Sequence, residues 1–171
     1  MIEAVVPLPS IMMKVVVDYG KSVEALAREF PHSNFRDFVT SNFPDEWVKW
    51  GGKRTVNIVI VDLTLYAEHV NFHGIEQTVE KYKYQPLGIS ELAALRNDAT
   101  ELRRLGVRSV FALNGNSRRI IPEALSRHID AKIPCIPYLD LTVNRFGLHL
   151  HAPFNLHVAR DFKHFICLAN D

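Results

Sequence analysis

The residues best suited to chemistry sit near the end of the chain, in Leu148-His149-Leu150-His151. In a strand, alternate side chains share a face, so the two imidazoles point one way while Phe146, Leu148 and Leu150 point to a core. Two imidazoles on one face can grip zinc, iron or nickel, and His157 or His164 could be turned in as a third ligand. A metal-bound water would then serve as nucleophile if the protein were a hydrolase. Against this stand the lack of a carboxylate at recognised spacing and the absence of H-E-x-x-H or paired C-x-x-C motifs. The plainer alternative is a pair of polar histidines on a solvated sheet face.

Other groups have equally simple alternatives. Asn114-Gly-Asn-Ser-Arg118-Arg119 offers turn amides and two guanidinium groups to an anion, or is a solvated loop. Neither G-x-G-x-x-G nor a P-loop occurs, so no nucleotide cradle is expected. Trp47 and Trp50 beside Lys53 and Arg54 join aromatic surface to positive charge. Such a segment suits a protein, a sugar or single-stranded nucleic acid, or simply covers one end of the core. Cys135, flanked by Ile and Pro, could be imagined as a nucleophile served by His128 or His149, but an apolar setting raises a thiol's pKa and favours a structural role. Asp18 and Asp62 would make an acid and base pair only if they met across a sheet; each is read as a turn or cap residue.

The elements that must position these groups follow from hydrophobic patterning. Lys14 to Tyr19 is a short β-branched strand. Ser22 caps a helix bearing Val23, Leu26, Ala27 and Phe30, and Pro31 ends it. Asn34 opens a second short helix that Pro44 stops. Thr55 to Tyr66 is the longest strand-like run and is expected to be the spine of the sheet. A helix follows Gly74. Ser90 caps another, with Leu92, Leu95, Ala99, Leu102 and Leu105 as its inward stripe, Arg96 on its wet side and Gly106 as its stop. Val107 to Leu113, Ile133 to Leu141, Phe146 to His151 and Lys163 to Ala169 are strands, and a helix is conceivable near Glu123 to His128. The expected fold is α+β: a single domain over residues 13–171, a mainly antiparallel mixed sheet with three to four helices packed on it, and a C-terminal β-meander. Residues 1–12 are expected to lie outside the core as an extension.

Composition narrows the partners. In 171 residues, 20 Lys plus Arg face 19 Asp plus Glu, for a formal net charge of +1. No global field attracts nucleic acid or an anionic membrane, and binding through Lys53, Arg54, Arg118 and Arg119 would have to be local and salt-sensitive. No apolar run nears the length of a bilayer span, and the first residues lack a signal peptide's charged start, so a cytoplasmic protein is expected. The two cysteines, Cys135 and Cys167, sit in apolar strands rather than a disulfide framework. An exposed edge strand could mediate self-association, with no symmetry selected by the pattern.

Several stretches carry a resemblance: Val15-Val-Val-Asp-Tyr-Gly-Lys-Ser-Val-Glu-Ala-Leu26, Asn42-Phe-Pro44, Tyr84-Gln-Pro-Leu-Gly-Ile-Ser-Glu-Leu-Ala-Ala-Leu95, Val110-Phe-Ala-Leu-Asn-Gly115, Ile136-Pro-Tyr-Leu139 and Phe165-Ile-Cys-Leu-Ala-Asn170. Their order resembles a small family of bacterial proteins to which no activity is assigned. The resemblance implies a complete stand-alone domain and brings no catalytic residues with it. The C-terminal half also resembles C-type-lectin-like domains, but no Trp follows Trp50 and their Gly- and Trp-rich loops are missing, so no binding site is carried over. The function expected is a non-enzymatic interaction or accessory protein meeting a protein or small-molecule partner, without a cofactor. The alternative is a metal-binding protein or metal-dependent hydrolase holding a divalent transition metal through His149, His151 and His157.

Overall fold

The computed structural model describes residues 9–33, 52–62, 72–112, 117–120, 132–151 and 164–168. The chain begins with β1 (Ser10–Asp18), turns into α1 (Val23–Arg28), returns in β2 (Lys53–Asp62) and enters α2 (Phe72–Lys81) and the two-residue β3 (Gln85–Pro86). A helical run follows, made of α3 (Ile89–Ala94), a 3-10 turn (Leu95–Asp98) and α4 (Ala99–Arg104). The strands β4 (Ser109–Ala112), β5 (Ser117–Ile120), β6 (Lys132–Asp140), β7 (Gly147–His151) and β8 (His164–Leu168) complete it. The expected helix at Asn34, and that near Glu123 to His128, fall outside the described residues. Among the described residues no helix is long and apolar enough to cross a membrane.

The sheet is mixed, with neighbours in the order β1-β2-β8-β4-β6, β5 and β7 both pairing with β6, and β3 with β8. Every pairing is antiparallel except β4 with β8. The α+β class therefore holds, but the C-terminal meander does not. β7 forms a hairpin with β6, whereas β8 leaves it and inserts between β2 and β4. Phe165 and Ile166, adjacent in β8, are both fully buried, so the strand is covered on both faces, as fits a place in the interior of the sheet rather than at the end of a meander.

One face of the sheet is aliphatic and carries α1 and the helical run. Val15, Val17, Ile58, Ile60, Val110, Leu139, Leu148 and Ile166 form one cluster with Val23, Leu26 and Ala27 of α1 and Leu92, Leu95, Ala99 and Leu102 of the helical run. The 3-4-3 spacing of those last four makes a stripe over two helical turns, even through the 3-10 segment. Leu105, expected to continue it, is 45% exposed, because Gly106 at φ +83° ends the helix there and turns the chain away. Ser90 is not the cap either. The helix starts at Ile89, and Glu91 reaches back to accept the Gly88 N–H at 3.2 Å.

The other face is aromatic at its centre. The strand register sets Val61, Phe165, Phe111, Tyr138 and His149 in one row across β2, β8, β4, β6 and β7. The Phe111 and Phe165 rings lie 5.8 Å apart, and Tyr84 stands edge-on to Phe165 at 5.9 Å.

The first strand begins four residues ahead of expectation. Ser10, Ile11 and Met12 pair with Val61, Ile60 and Val59, and Ile11 packs against the core. The boundary set at residue 13 therefore cuts through β1. Met12 and Met13 continue the β-branched run outward rather than preceding it, so the two-residue alternation starts earlier than Val15.

Candidate functional site

Where β1 ends, Asp18 accepts the Gly20 N–H at 3.0 Å and the Tyr19 N–H bonds to the Gly52 carbonyl at 2.9 Å. The Tyr19 hydroxyl donates to Glu91 at 2.9 Å. Because the same carboxylate caps α3, this one residue fixes the end of β1 against the start of the helical run. Ser22 fixes α1 beside them, its hydroxyl accepting from the Ala25 N–H at 3.2 Å.

A cleft of about 210 Å³ lies between these elements, lined by Val16, Asp18, Lys21, Leu26, Glu29, Lys53, Ser90, Ala93, Ala94, Arg96 and Asn97. Its lining is mainly polar and charged, with Leu26, Ala93 and Ala94 among the apolar residues. Glu29, at the end of α1, forms an ion pair with Lys21 and meets the Arg96 guanidinium at 3.6 Å. Arg96 also lies 5.9 Å from the Phe30 ring, which holds its flat fork near the cleft. Lys53 stands opposite Asp18 at the first pair of β1 and β2. Among the described residues Lys53 has no ion-pair or hydrogen-bond partner within range.

The sequence-derived candidates disperse around this centre. Lys53 reaches the cleft, but Arg54 is the next strand residue, opposite Val17, and so belongs to the other face. The two cations do not make one basic tip. Arg118 and Arg119 lie on β5 opposite Pro134 and Ile133, a strand rather than a loop. Trp47, Trp50, Asn114, His128 and His157 lie outside the described residues. Asp18 and Asp62 cannot meet. They sit at opposite ends of the β1 and β2 pairing, about 30 Å apart at about 3.4 Å per residue. Cys135 and Cys167 are placed on β6 and β8.

The histidines divide between the faces. His149 and His151 pair with Tyr138 and Ile136, and His149 lies on the face away from Leu148. His149 stacks on Tyr138 with ring centres 5.4 Å apart, and its Nε2 is 3.1 Å from the Arg145 carbonyl. His164 belongs to the other face, one residue from Phe165, and its Nε2 is 3.8 Å from Asp62. Three strand spacings separate β8 from β7, about 14 Å, so His164 is not a third ligand for the His149 and His151 pair. Among the described residues no three His, Cys, Asp or Glu side chains gather as a metal-binding group.

Lys21, Glu29, Ser90, Arg96 and Asn97 were absent from the sequence candidates. Arg96 in particular reads as an ordinary wet-side residue, and only the packing of the helical run against α1 brings it to Glu29. Compared with protein-family models, curated proteins and solved structures, the chain finds no match.

Proposed function

We propose that the protein is a non-enzymatic accessory or interaction domain that binds a small anionic group, a carboxylate or a phosphate, in the cleft between β1, α1 and α3. The observation that carries it is the convergence of Lys21, Lys53 and Arg96 on one cleft with Ser90 and Asn97 beside them and Leu26 and Ala93 behind. Fixed cations and hydroxyl or amide donors beside apolar side chains are what a small anion with an organic body needs. Glu29 already engages Lys21 and Arg96, so a ligand competes for that ion-pair network while Lys53 supplies fresh charge. Titration calorimetry with inorganic phosphate, citrate and a nucleoside monophosphate tests this. One of them should bind, and Lys53→Ala should weaken it at least about tenfold, the loss expected for one charge-assisted hydrogen bond. Binding that ignores both Lys53→Ala and Arg96→Ala, or no binding by any of the three, would refute it.

A second reading keeps the metal. It is favoured by the two-residue spacing of His149 and His151 on β7 and by the Arg145 carbonyl beside His149 Nε2. A carbonyl that accepts from one ring nitrogen orients the imidazole and leaves the other nitrogen as a ligand.

A further inference from the structure

β1 is the edge of the sheet, and its hydrogen bonding shows which of its residues face outward. The Asp62 N–H bonds to the Pro9 carbonyl at 2.8 Å and the Tyr19 N–H to the Gly52 carbonyl at 2.9 Å. Both pairs lie in the register of β1 with β2. In an antiparallel ladder, hydrogen-bonded pairs alternate with unbonded ones, so Ile11, Met13, Val15 and Val17 bond inward to β2. Met12, Lys14, Val16 and Asp18 then aim their backbone N–H and C=O groups away from the sheet. Their side chains are not core either: Met12 is 71% and Val16 57% exposed. Among the described residues no strand covers this edge. An uncovered edge of this length, with two exposed apolar side chains, is a template for another strand.

We infer that two copies of the chain pair through β1, antiparallel about a two-fold axis at Val16. The choice of partner and register rests on charge. A two-fold at Lys14 would set Lys14 against the partner's Lys14, a like-charge pair directly opposed. A two-fold at Val15 would leave Lys14 facing Val16 and Asp18 facing Met12. With the axis at Val16, Lys14 faces the partner's Asp18 in both directions, and Val16 meets the partner's Val16. The outward pairs within the two strands, Val16 with Val16 and Lys14 with Asp18 on either side of it, exchange backbone hydrogen bonds. Asp18 can take part without losing its turn, since one of its oxygens holds the Gly20 N–H and the other is left for lysine. The contact is self-complementary, as an isologous dimer requires. The pairing shares Val16 and Asp18 with the cleft, whereas Lys14 does not line it, so a change at Lys14 tests the pairing without altering the cleft lining.

The test is sedimentation equilibrium across a concentration series reaching millimolar, on the whole chain. The parent should approach twice the monomer mass, and Lys14→Asp, which opposes two carboxylates, should stay monomeric with an unchanged circular dichroism spectrum. Asp18→Lys alone should also be monomeric. Mixing the two single variants should restore the dimer as a heterodimer, since each then carries the charge the other lacks. A parent that stays monomeric, or a dimer that persists in Lys14→Asp, or failure of the mixture to associate while each variant is folded, would overturn the inference.

Discussion

Gly147→Ala should cost more than alanine at Gly20, Gly52 or Gly106. Gly147 begins β7, and a Cβ built there would lie 2.6 Å from the Ser33 backbone nitrogen, 2.7 Å from the His32 carbonyl carbon and 3.0 Å from its oxygen. All three are main-chain atoms, so no side chain can swing aside. The segment after α1 is also tied to the hairpin on both sides of the glycine. The His32 N–H bonds to the Phe146 carbonyl at 3.2 Å, and the Ser33 hydroxyl accepts from the Leu148 N–H at 2.9 Å. Moving it to make room loses two bonds of about 1 kcal/mol each and adds overpacking of about 1–3 kcal/mol. Alanine's smaller unfolded-state entropy returns about 0.4–1 kcal/mol, for a net loss near 3 kcal/mol. In a domain of this size that lowers Tm by about 6–12 °C. Gly106→Ala is the control. Its Cβ would meet nothing within 4 Å, and only the positive φ of +83° resists it, for about 1 kcal/mol. Thermal melts of both variants decide the matter. A Gly147→Ala melt as mild as that of Gly106→Ala would mean that the contact of residues 32 and 33 with the hairpin is not part of the stable fold.

Burial pushes the Asp98 carboxyl above its ordinary pKa, and its side chain makes no capping bond at the start of α4. A raised folded-state pKa in an acid means that the ionised form costs stability at neutral pH, and that the cost is relieved as pH falls through the raised value. Asp98→Asn should therefore melt higher than the parent at neutral pH, with the gap closing in acid; a gap that widens in acid would contradict the sign. For the histidines, elemental analysis of tag-free protein should find stoichiometric zinc, iron or nickel if the metal reading holds, lost in the His149→Ala and His151→Ala double variant. Protein free of metal after growth with each ion would remove that reading and leave the cleft.

The elements were legible where burial repeats with a simple period. α1, with Ser22, Val23, Leu26 and Phe30, and the helical run through Leu102 were visible because their apolar residues recur on one face. Arrangement was less so. His164-Phe-Ile-Cys-Leu168 is an apolar run short enough to be the last strand of a meander, and nothing local says that it crosses to sit between β2 and β4. The clue was that Phe165 and Ile166 are consecutive and both large, which demands cover on two faces. The cleft was hidden for a different reason. Its charged residues come from positions as far apart as Asp18 and Arg96, each of which is ordinary on its own element. Lys53 was singled out for the company of Trp47 and Trp50, and reaches the cleft instead because β2 begins at that residue, opposite Asp18.

β1 explains how one strand can serve both the core and an interface. Its odd residues bond to β2 and bury Val15 and Val17, so the strand cannot be lost without opening the aliphatic cluster. Its even residues contribute nothing to that cluster, and Val16 and Met12 are left exposed where a polar residue would fold as well. Lys14 in the middle of such an edge has the effect of blocking indiscriminate pairing, since most registers leave its charge facing a methyl group or another lysine. Only a register that sets it against Asp18 satisfies it, and the two-fold version of that register pairs the Lys14 to Asp18 half of the edge with itself. Growth then stops at two copies, because among the described residues the strands at the other end of the sheet, β5 and β7, carry Arg118, Arg119, His149 and His151 rather than a second run of valines. A charge that guards against open-ended assembly and one that selects a closed dimer are thus the same residue, and Lys14→Val should tell them apart: aggregation in place of a discrete dimer is the outcome if Lys14 does both.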